Sequence, residues 1–148
     1  MRFTKTLFTT ALLGASIFSF QSTAWADTLE QQFQQGSEAT TRGDYQTTFK
    51  FLLPLAEQGY AEAKFNLGHM YSKGRGVKQD DFEAVNWYRK AAEQGDADAQ
   101  AILGFLYLLG ERGVQVNKSL AKEWFGKACD NGNQNGCEYY GKLNRGEL

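Results

Sequence analysis

The sequence has 148 residues, 42% of them hydrophobic and 14% aromatic, which is enough for one globular domain and excludes a disordered or collagen-like chain. Sixteen lysines and arginines against 17 aspartates and glutamates give a formal net charge of −1. Since the basic residues form no cluster, the sequence has no footprint for nucleic acid or anionic lipid.

Residues 1–26 are typical of a secretory signal peptide. Arg2 and Lys5 make the start positive, residues 7–20 form an apolar run, and an Ala-Trp-Ala cleavage site precedes Asp27. The mature protein, with 14 basic against 17 acidic residues, is expected to be periplasmic or secreted. An uncleaved transmembrane anchor is the alternative, but about 14 apolar residues fall short of the roughly 20 that span a bilayer. No cysteine lies near the cleavage point, which excludes a lipoprotein anchor, so we expect no stable membrane insertion.

Residues 27–59 are predicted to form a helical hairpin that caps the amino-terminal end of the domain. Apolar residues at i, i+3, i+4 and i+7 mark one face of its second helix. Asp44 and Gly59 supply the start and stop signals of that helix. Pro54 lies inside it, where proline costs about 3 kcal/mol, so we expect a kink or a broken turn.

Residues 60–95 are repeated almost position by position in residues 96–132, and a period of this size indicates a repeat array. The residues Leu67, Gly68, Tyr71, Gly74, Ala84, Trp87, Tyr88, Ala91 and Gly95 recur as Leu103, Gly104, Tyr107, Gly110, Ala121, Trp124, Phe125, Ala128 and Gly132. Each unit is predicted to contain a helix A and a helix B. Helix B starts at Asp80, which forms a capping box with Glu83, and at Asn117 in the copy. The repeated glycines are expected to allow close helix approach, and the aromatic residues to fill the space between hairpins.

After residue 132 the pattern restarts and stops half-way, so residues 133–148 are predicted to be a polar capping helix. Cys129 and Cys137 lie on either side of the turn before it, and in an exported protein this arrangement predicts a disulfide. A metal site is the weaker alternative, because two thiols are too few ligands and the only histidine, His69, lies far upstream. We expect no metal and no cofactor.

The run from Ala61 to Gly95, A-x-A-x-x-x-L-G-x-x-Y-x-x-G-x-G-V-x-x-D…A-x-x-W-Y-x-x-A-A-x-x-G, resembles the Sel1-like repeat, a relative of the tetratricopeptide repeat. Residues 97–132 match it with small departures. The resemblance implies an all-α fold, an α/α solenoid of about seven antiparallel helices in a right-handed superhelix, and a monomeric adaptor or scaffold that binds a protein or peptide in a concave groove. The cysteine spacing also resembles secreted cysteine-rich Sel1-repeat proteins, which usually bridge every repeat. This chain departs from them, because Ala92 and Gln100 stand at the preceding pair of positions.

The predicted partner surface lies on the A helices. In the second repeat, residues 101–109 are apolar on every face, although a solenoid helix with one side in water should show a polar stripe. The first repeat carries His69, Ser72 and Lys73 at three of these positions, so the packing does not demand large apolar groups there. We therefore predict a hydrophobic patch edged by charge that binds a peptide or a partner helix.

The candidate partner-binding residues are Phe65, His69, Asp98, Phe105, Leu108, Leu109 and Lys142. Phe105, Leu108 and Leu109 come from the apolar excess, and the others, together with Glu62, Ala101 and Glu138, come from the tetratricopeptide resemblance. An open alternative is that Phe105 and Leu108 are ordinary core residues.

An enzyme is the rival interpretation. Cysteine-rich Sel1-repeat proteins are associated with penicillin binding and weak β-lactam hydrolysis, and Ser119-Leu120-Ala121-Lys122 fits the S-x-x-K pattern of serine β-lactamases. The companion motifs S-D-N and K-T-G are absent after residue 26. A hydroxyl in the first turn of a helix is also commonplace. The sequence therefore favours an interaction module without catalytic residues.

Overall fold

The computed structural model describes the backbone of residues 14–148 and the side chains from residue 28 onwards. The predicted signal peptide, residues 1–26, thus lies outside the described residues in its first half and is described only as helical backbone in its second. The chain divides into two compact units, Met1–Gln31 and Gln32–Leu148, and both repeats lie in the second. Within the described range, no helix combines the length and the apolar character needed to cross a bilayer.

Seven helices and no strand make up the described part of the chain, which confirms the predicted all-α solenoid. They are α1 Gly14–Thr41, α2 Tyr45–Glu57, α3 Ala61–Lys73, α4 Asp81–Glu93, α5 Ala97–Leu109, α6 Lys118–Asp130 and α7 Gln134–Asn144. From α2 to α7 each helix packs mainly against the next one in sequence, and α5 also contacts α7. Helices α3 and α4 form the first repeat, and α5 and α6 form the second.

Polar side chains cap the helices at the predicted starts. Asp44, Asp80 and Asn117 each accept a hydrogen bond from the backbone N–H three residues on, at 3.1, 3.0 and 3.0 Å. Each bond satisfies a donor that has no partner inside its helix. At the other end, α3 and α5 stop at Gly74 and Gly110, which adopt left-handed conformations with φ of 63° and 70°. Glycine takes this conformation without the steric cost that other residues incur.

Pro54 does not break α2, contrary to the expected broken turn. The helix continues through Pro54 to Glu57. Pro54 is exposed, and its carbonyl still accepts the backbone N–H of Gln58 at 3.1 Å. Because proline removes only its own donor, the last turn of the helix keeps this hydrogen bond.

The repeated glycines make room for aromatic rings rather than for a whole helix. A Cβ atom on Gly68 would lie 2.6 Å from ring atoms of Tyr88, and one on Gly104 would lie 2.7 Å from the ring of Phe125. Tyr88 and Phe125 occupy equivalent positions in helix B and are 2% and 0% exposed. In each repeat, an aromatic ring of helix B therefore packs directly on a glycine of helix A and holds the two helices close together.

The predicted disulfide is present at the turn between α6 and α7. Cys129 and Cys137 are bonded, with their Cα atoms 4.4 Å apart. At the equivalent turn between α4 and α5, the buried Gln100 side chain donates from Nε2 to the carbonyl of Ala92 at 3.0 Å. Its Oε1 accepts from Nδ2 of Asn131 at 2.9 Å. A buried amide thus holds the turn that lacks a disulfide.

Candidate functional site

A cleft of about 450 Å³ lies between α1, α2 and α3, within the unit of residues 32–148. The buried side chains of Leu52 and Met70 and the half-buried Phe33 supply its apolar part. Its polar lining consists of Ser37, Thr40, Thr41, Tyr45, Thr48, Glu62, Asn66, His69, Lys73 and Arg75. A volume of this size and a mixed lining are usual for a ligand site. We refer to it as the α1–α3 cleft.

One face of α3 forms a wall of the cleft. Glu62, Asn66, His69 and Lys73 are spaced i, i+4, i+7 and i+11, which places them along one side of the helix. Arg75 follows α3 and lies over the ring of Tyr45, 5.1 Å from its centroid. The wall therefore changes from acidic to basic over about 16 Å.

Two hydroxyl groups in the cleft are paired within the protein. The Oγ1 atoms of Thr40 and Thr48 lie 3.0 Å apart, and Thr40 donates to the carbonyl of Gly36 at 2.9 Å. The amide of the half-buried Asn66, by contrast, has no hydrogen-bond partner among the described residues. The groups that remain for a ligand thus include this amide and the cations at the end of α3.

His69 lines the cleft and belongs to the seven candidate partner-binding residues; Glu62, which the resemblance added, lines it as well. Its ring packs edge-on against Phe65 at 4.7 Å and Tyr88 at 5.5 Å, between centroids. Partial burial lowers the pKa of His69 below its usual value of 6.5, and the neighbouring cations Lys73 and Arg75 lower it further. The imidazole is therefore mainly uncharged at neutral pH and acts there as a flat, weakly polar surface.

Phe105, the repeat equivalent of His69, lies in an aromatic cluster near the other end of the domain. Its ring centroid is 4.9 Å from that of Phe125 and 4.6 Å from that of Tyr139. The Nζ atom of Lys142 lies 4.9 Å from the Tyr139 centroid. Helix α7 thus covers part of the apolar side of α5 and leaves Phe105 half-buried. These four residues form what we call the Phe105 cluster.

The remaining predicted residues lie elsewhere. Asp98 accepts a hydrogen bond from Nδ2 of Asn133 at 2.7 Å, and it opposes the lowering of the His69 pKa. Leu108 is half-buried, whereas Leu109 is 57% exposed at the end of α5. The structure therefore brings Phe65 to His69 and places Lys142 and Phe105 against the same ring, that of Tyr139. Leu108 and Leu109 belong to neither group.

The exchange of Ser72 for Leu108 between the repeats has a packing explanation. Ser72 is 4% exposed, and the interaction of its side chain with the phenol of Tyr88 lowers the pKa of that phenol, against the larger raising effect of burial. In the second repeat both positions lose their hydroxyl, because Leu108 replaces Ser72 and Phe125 replaces Tyr88. A buried hydroxyl without a partner is costly, so the two positions change together. The large apolar residue at 108 does not by itself indicate a partner site.

Sequence reasoning missed the contribution of α1 and α2 to the cleft. Thr40 and Tyr45 belong to the divergent first hairpin, which lacks the repeat motif that would have marked their positions. A signal was available for Arg75, since it recurs as Arg112 in the equivalent loop of the second repeat. Asn66 has no such mark, because Ile102 takes its place in the copy.

The S-x-x-K motif lies on a shallow depression formed by α6 and α7. Ser119 is exposed in the first turn of α6, and Nζ of Lys122 lies 5.8 Å from the centroid of the Tyr140 ring. No hydrogen bond joins Ser119 to Lys122 in the part of the chain that the structure describes, whereas an activated serine requires its base within hydrogen-bonding reach. Among the same residues, no group of three or more His, Cys, Asp or Glu side chains is placed to hold a metal ion.

Comparison with known proteins places the repeats in a family. Residues 61–96 and 97–133 each match the family model of the Sel1 repeat. The chain is 34% identical over 95 residues to the Sel1-repeat-containing protein YjcO of Escherichia coli K12, covering 62% of this chain and 41% of YjcO. It is 31% identical over 117 residues to the chitin synthase regulator SKT5 of Saccharomyces cerevisiae, covering 75% of this chain and 16% of SKT5.

A solved structure extends the match beyond the repeats. The protein c5321, a protective antigen of uropathogenic Escherichia coli with an SLR fold, superposes with a TM-score of 0.73 at 32% identity. The match covers 87% of this chain and 28% of c5321. The chain thus spans about two fifths of the length of YjcO and less of the other two proteins.

Proposed function

The chain is a Sel1-repeat protein, and from this we propose that it is a non-enzymatic interaction protein that holds a peptide or protein partner in the α1–α3 cleft. The relative SKT5 is named as a regulator of another protein, which supports a role exerted through binding. The observation that carries the proposal is the cleft itself. It is concave, partly apolar, and lined by the half-buried amide of Asn66, which has no partner among the described residues.

The lining of the cleft is suited to an extended segment rather than to a reactive small molecule. Leu52 and Met70 offer a surface for an apolar side chain, and the Asn66 amide can donate to and accept from a peptide backbone. The Phe105 cluster lies on α5 to α7 and gives a larger partner a second apolar contact. Such an arrangement binds and positions a partner without requiring a nucleophile or a base.

The place of action is part of the same proposal. The basic start and apolar run of residues 1–26 support export, and the disulfide of Cys129 and Cys137 is a bond that persists in oxidising compartments. We therefore propose that the mature protein, beginning at Asp27, is periplasmic or secreted. Cell fractionation with mass spectrometry of the amino-terminal peptide tests this, and a full-length chain in the cytoplasm would contradict it.

Photo-cross-linking in cells tests the proposed binding function. A photoreactive residue in place of Asn66 should yield a specific adduct, whereas the same residue in place of the exposed Ser119 serves as the control. A second variant, Ser37→Trp, fills the cleft from α1 and should abolish the adduct at position 66 without changing the melting temperature. Equal adducts at both positions, or an adduct at position 66 that persists with Ser37→Trp, would refute the cleft as the binding site.

A further inference from the structure

We infer that the segment held in the α1–α3 cleft is an acidic, extended peptide, with an apolar side chain over Leu52 and Met70 and a carboxylate against Lys73 and Arg75. This inference rests on the proposed binding function and adds the chemistry of the partner. It follows from the charges that the cleft leaves unpaired, from the free Asn66 amide and from the concave form of the site.

No acid among the described residues pairs with the cations at the positive end of the cleft. Lys73 is exposed, and among the described residues neither it nor Arg75 has a carboxylate partner; the Arg75 guanidinium lies over the ring of Tyr45. Five of the other twelve lysines and arginines after residue 26 are paired with acids: Arg42 with Glu38, Arg112 with Asp81, Lys127 with Glu123, Lys142 with Glu138, and Arg145 with Glu147. In a chain with a net charge of −1, two unpaired cations on one wall of a cleft favour an anionic ligand.

The spacing of the lining residues sets the form of that ligand. Asn66 and Lys73 are seven positions apart in α3, a distance of about 10 Å along the helix. An extended chain covers this distance in about three residues. A peptide whose backbone pairs with the Asn66 amide therefore brings a carboxylate two to four positions away to Lys73 and Arg75. Leu52 and Met70, beneath the same stretch, bind the side chain between these two points.

An anionic membrane fits the same surface less well. Recognition of acidic lipid headgroups generally uses a cluster of four to eight lysines and arginines, and only two line this cleft. The cleft is also concave and contains an acid, Glu62, at the opposite end of the α3 wall. Both features favour a peptide whose acidic group lies at one end of the cleft over a flat, uniformly negative membrane surface.

Fluorescence anisotropy with synthetic peptides tests the inference on the intact chain. Three matched pools of dye-labelled octapeptides carry one Phe or Leu and, starting two positions later, two Asp, two Asn or two Lys residues. We expect the Asp pool to bind most tightly. The double variant Lys73→Gln with Arg75→Gln should weaken that binding by about three- to tenfold at low salt, and Lys50→Gln with Lys118→Gln, which removes two exposed charges outside the cleft, should not. Asn66→Asp should weaken the Asp pool and spare the Asn pool.

The possible outcomes distinguish failure of the acidic partner from failure of the proposed binding function. Equal or tighter binding of the Asn or Lys pool, or an unchanged affinity in the Lys73/Arg75 variant, overturns the acidic partner. If position 66 still gives its cellular adduct, the interaction function stands. If neither adduct nor peptide binding is found, both fail. Binding to phosphatidylglycerol vesicles that depends on Lys73 and Arg75, without binding of the Asp pool, would reassign the site to a lipid surface.

Discussion

Arg112 reaches back by one repeat and pairs its guanidinium with the carboxylate of Asp81, the first residue of α4. Its repeat equivalent, Arg75, reaches back in the same way to the ring of Tyr45, the first residue of α2. The two contacts connect equivalent positions of successive repeats, by an ion pair in one case and by a cation–π contact in the other. Each joins the loop of one hairpin to the second helix of the hairpin before it.

The ion pair of Arg112 with Asp81 should contribute measurably to stability. Arg112 has a left-handed backbone, with φ of 53°, and its side chain is only 24% exposed. We expect Arg112→Ala to lower the free energy of unfolding by about 1 kcal/mol. Arg112→Gly should cost less, because glycine relieves the strained backbone while losing the same ion pair. Urea denaturation of both variants and of Asp81→Asn, alone and combined, measures the coupling energy between residues 112 and 81. Strictly additive effects would show that the two side chains do not interact.

The packing of the Tyr88 ring on Gly68 predicts that alanine substitutions at two equivalent glycines have opposite effects on stability. Gly68→Ala should destabilise the protein by about 1 to 2 kcal/mol, because the steric cost of overpacking exceeds the helix propensity gained. Gly141 occupies the same repeat position in α7, where a Cβ atom would approach only the flexible end of Arg145. Gly141→Ala should therefore be neutral or stabilising by up to about 1 kcal/mol. Thermal unfolding of the two variants gives the comparison, and equal shifts would contradict this account.

The buried Gln100 marks a position where a second disulfide should form. Ala92→Cys with Gln100→Cys reproduces the spacing of Cys129 and Cys137 at the preceding turn. The new bond should stabilise by about 2 to 3 kcal/mol on the chain-entropy model, less about 1 kcal/mol for the lost hydrogen bonds. Intact mass shows whether it forms, and denaturation with and without reductant gives its effect. Gln100→Cys alone is the matched control and should destabilise; a double variant that stays reduced would refute the predicted geometry.

Ser72 and Tyr88 should behave as a coupled pair. Ser72→Ala leaves the buried phenol of Tyr88 without its side-chain partner and should cost about 1 kcal/mol or more. Adding Tyr88→Phe removes the unpaired hydroxyl and brings the site close to the arrangement of the second repeat, so the double variant should lose less than the sum of the two single ones. A double-mutant cycle measures this, and additive losses would indicate that the hydroxyls do not interact.

Acid should destabilise the protein partly through His69. Its pKa is lower in the folded state than in the unfolded one, so the unfolded state takes up the proton first as the pH falls. Stability is therefore lost as the pH drops through the ordinary value of 6.5, and the loss is complete below the folded pKa. Between pH 7.5 and 5.5, His69→Gln should lose less stability than the unmodified chain. The pKa values of Asp44 and Glu147 are also lowered, from the ordinary values of 3.8 and 4.5, so these two groups affect stability only at lower pH. Identical pH profiles would exclude a contribution from His69.

The local features of the fold could be predicted from the sequence, because neighbouring residues determine them. The caps at Asp80 and Asn117, the glycine stops and the Cys129–Cys137 spacing all involve groups within a few residues of each other. The pairing of Ser72 with Tyr88 joins two helices, and only the folded geometry identifies it. The same holds for the α1–α3 cleft, since Thr40 faces it only after α1 has packed against α2. The tetratricopeptide resemblance made His69 a candidate, but it gave no reason to prefer the cleft over the Phe105 cluster.

The packing of each helix mainly against its neighbour in sequence has a consequence for how the chain is made. A growing chain appears amino-terminus first, and contacts between neighbouring segments form without waiting for distant ones. Each hairpin can therefore fold as soon as it emerges into the compartment in which the chain folds, and α7 arrives last. Until then the ring of Phe105 lacks the cover of Tyr139, so the newest part of the chain carries an apolar surface for a short time. Once oxidised, the disulfide at the α6–α7 turn closes a loop of eight residues and fixes the last helix in place, so that the apolar surface stays covered.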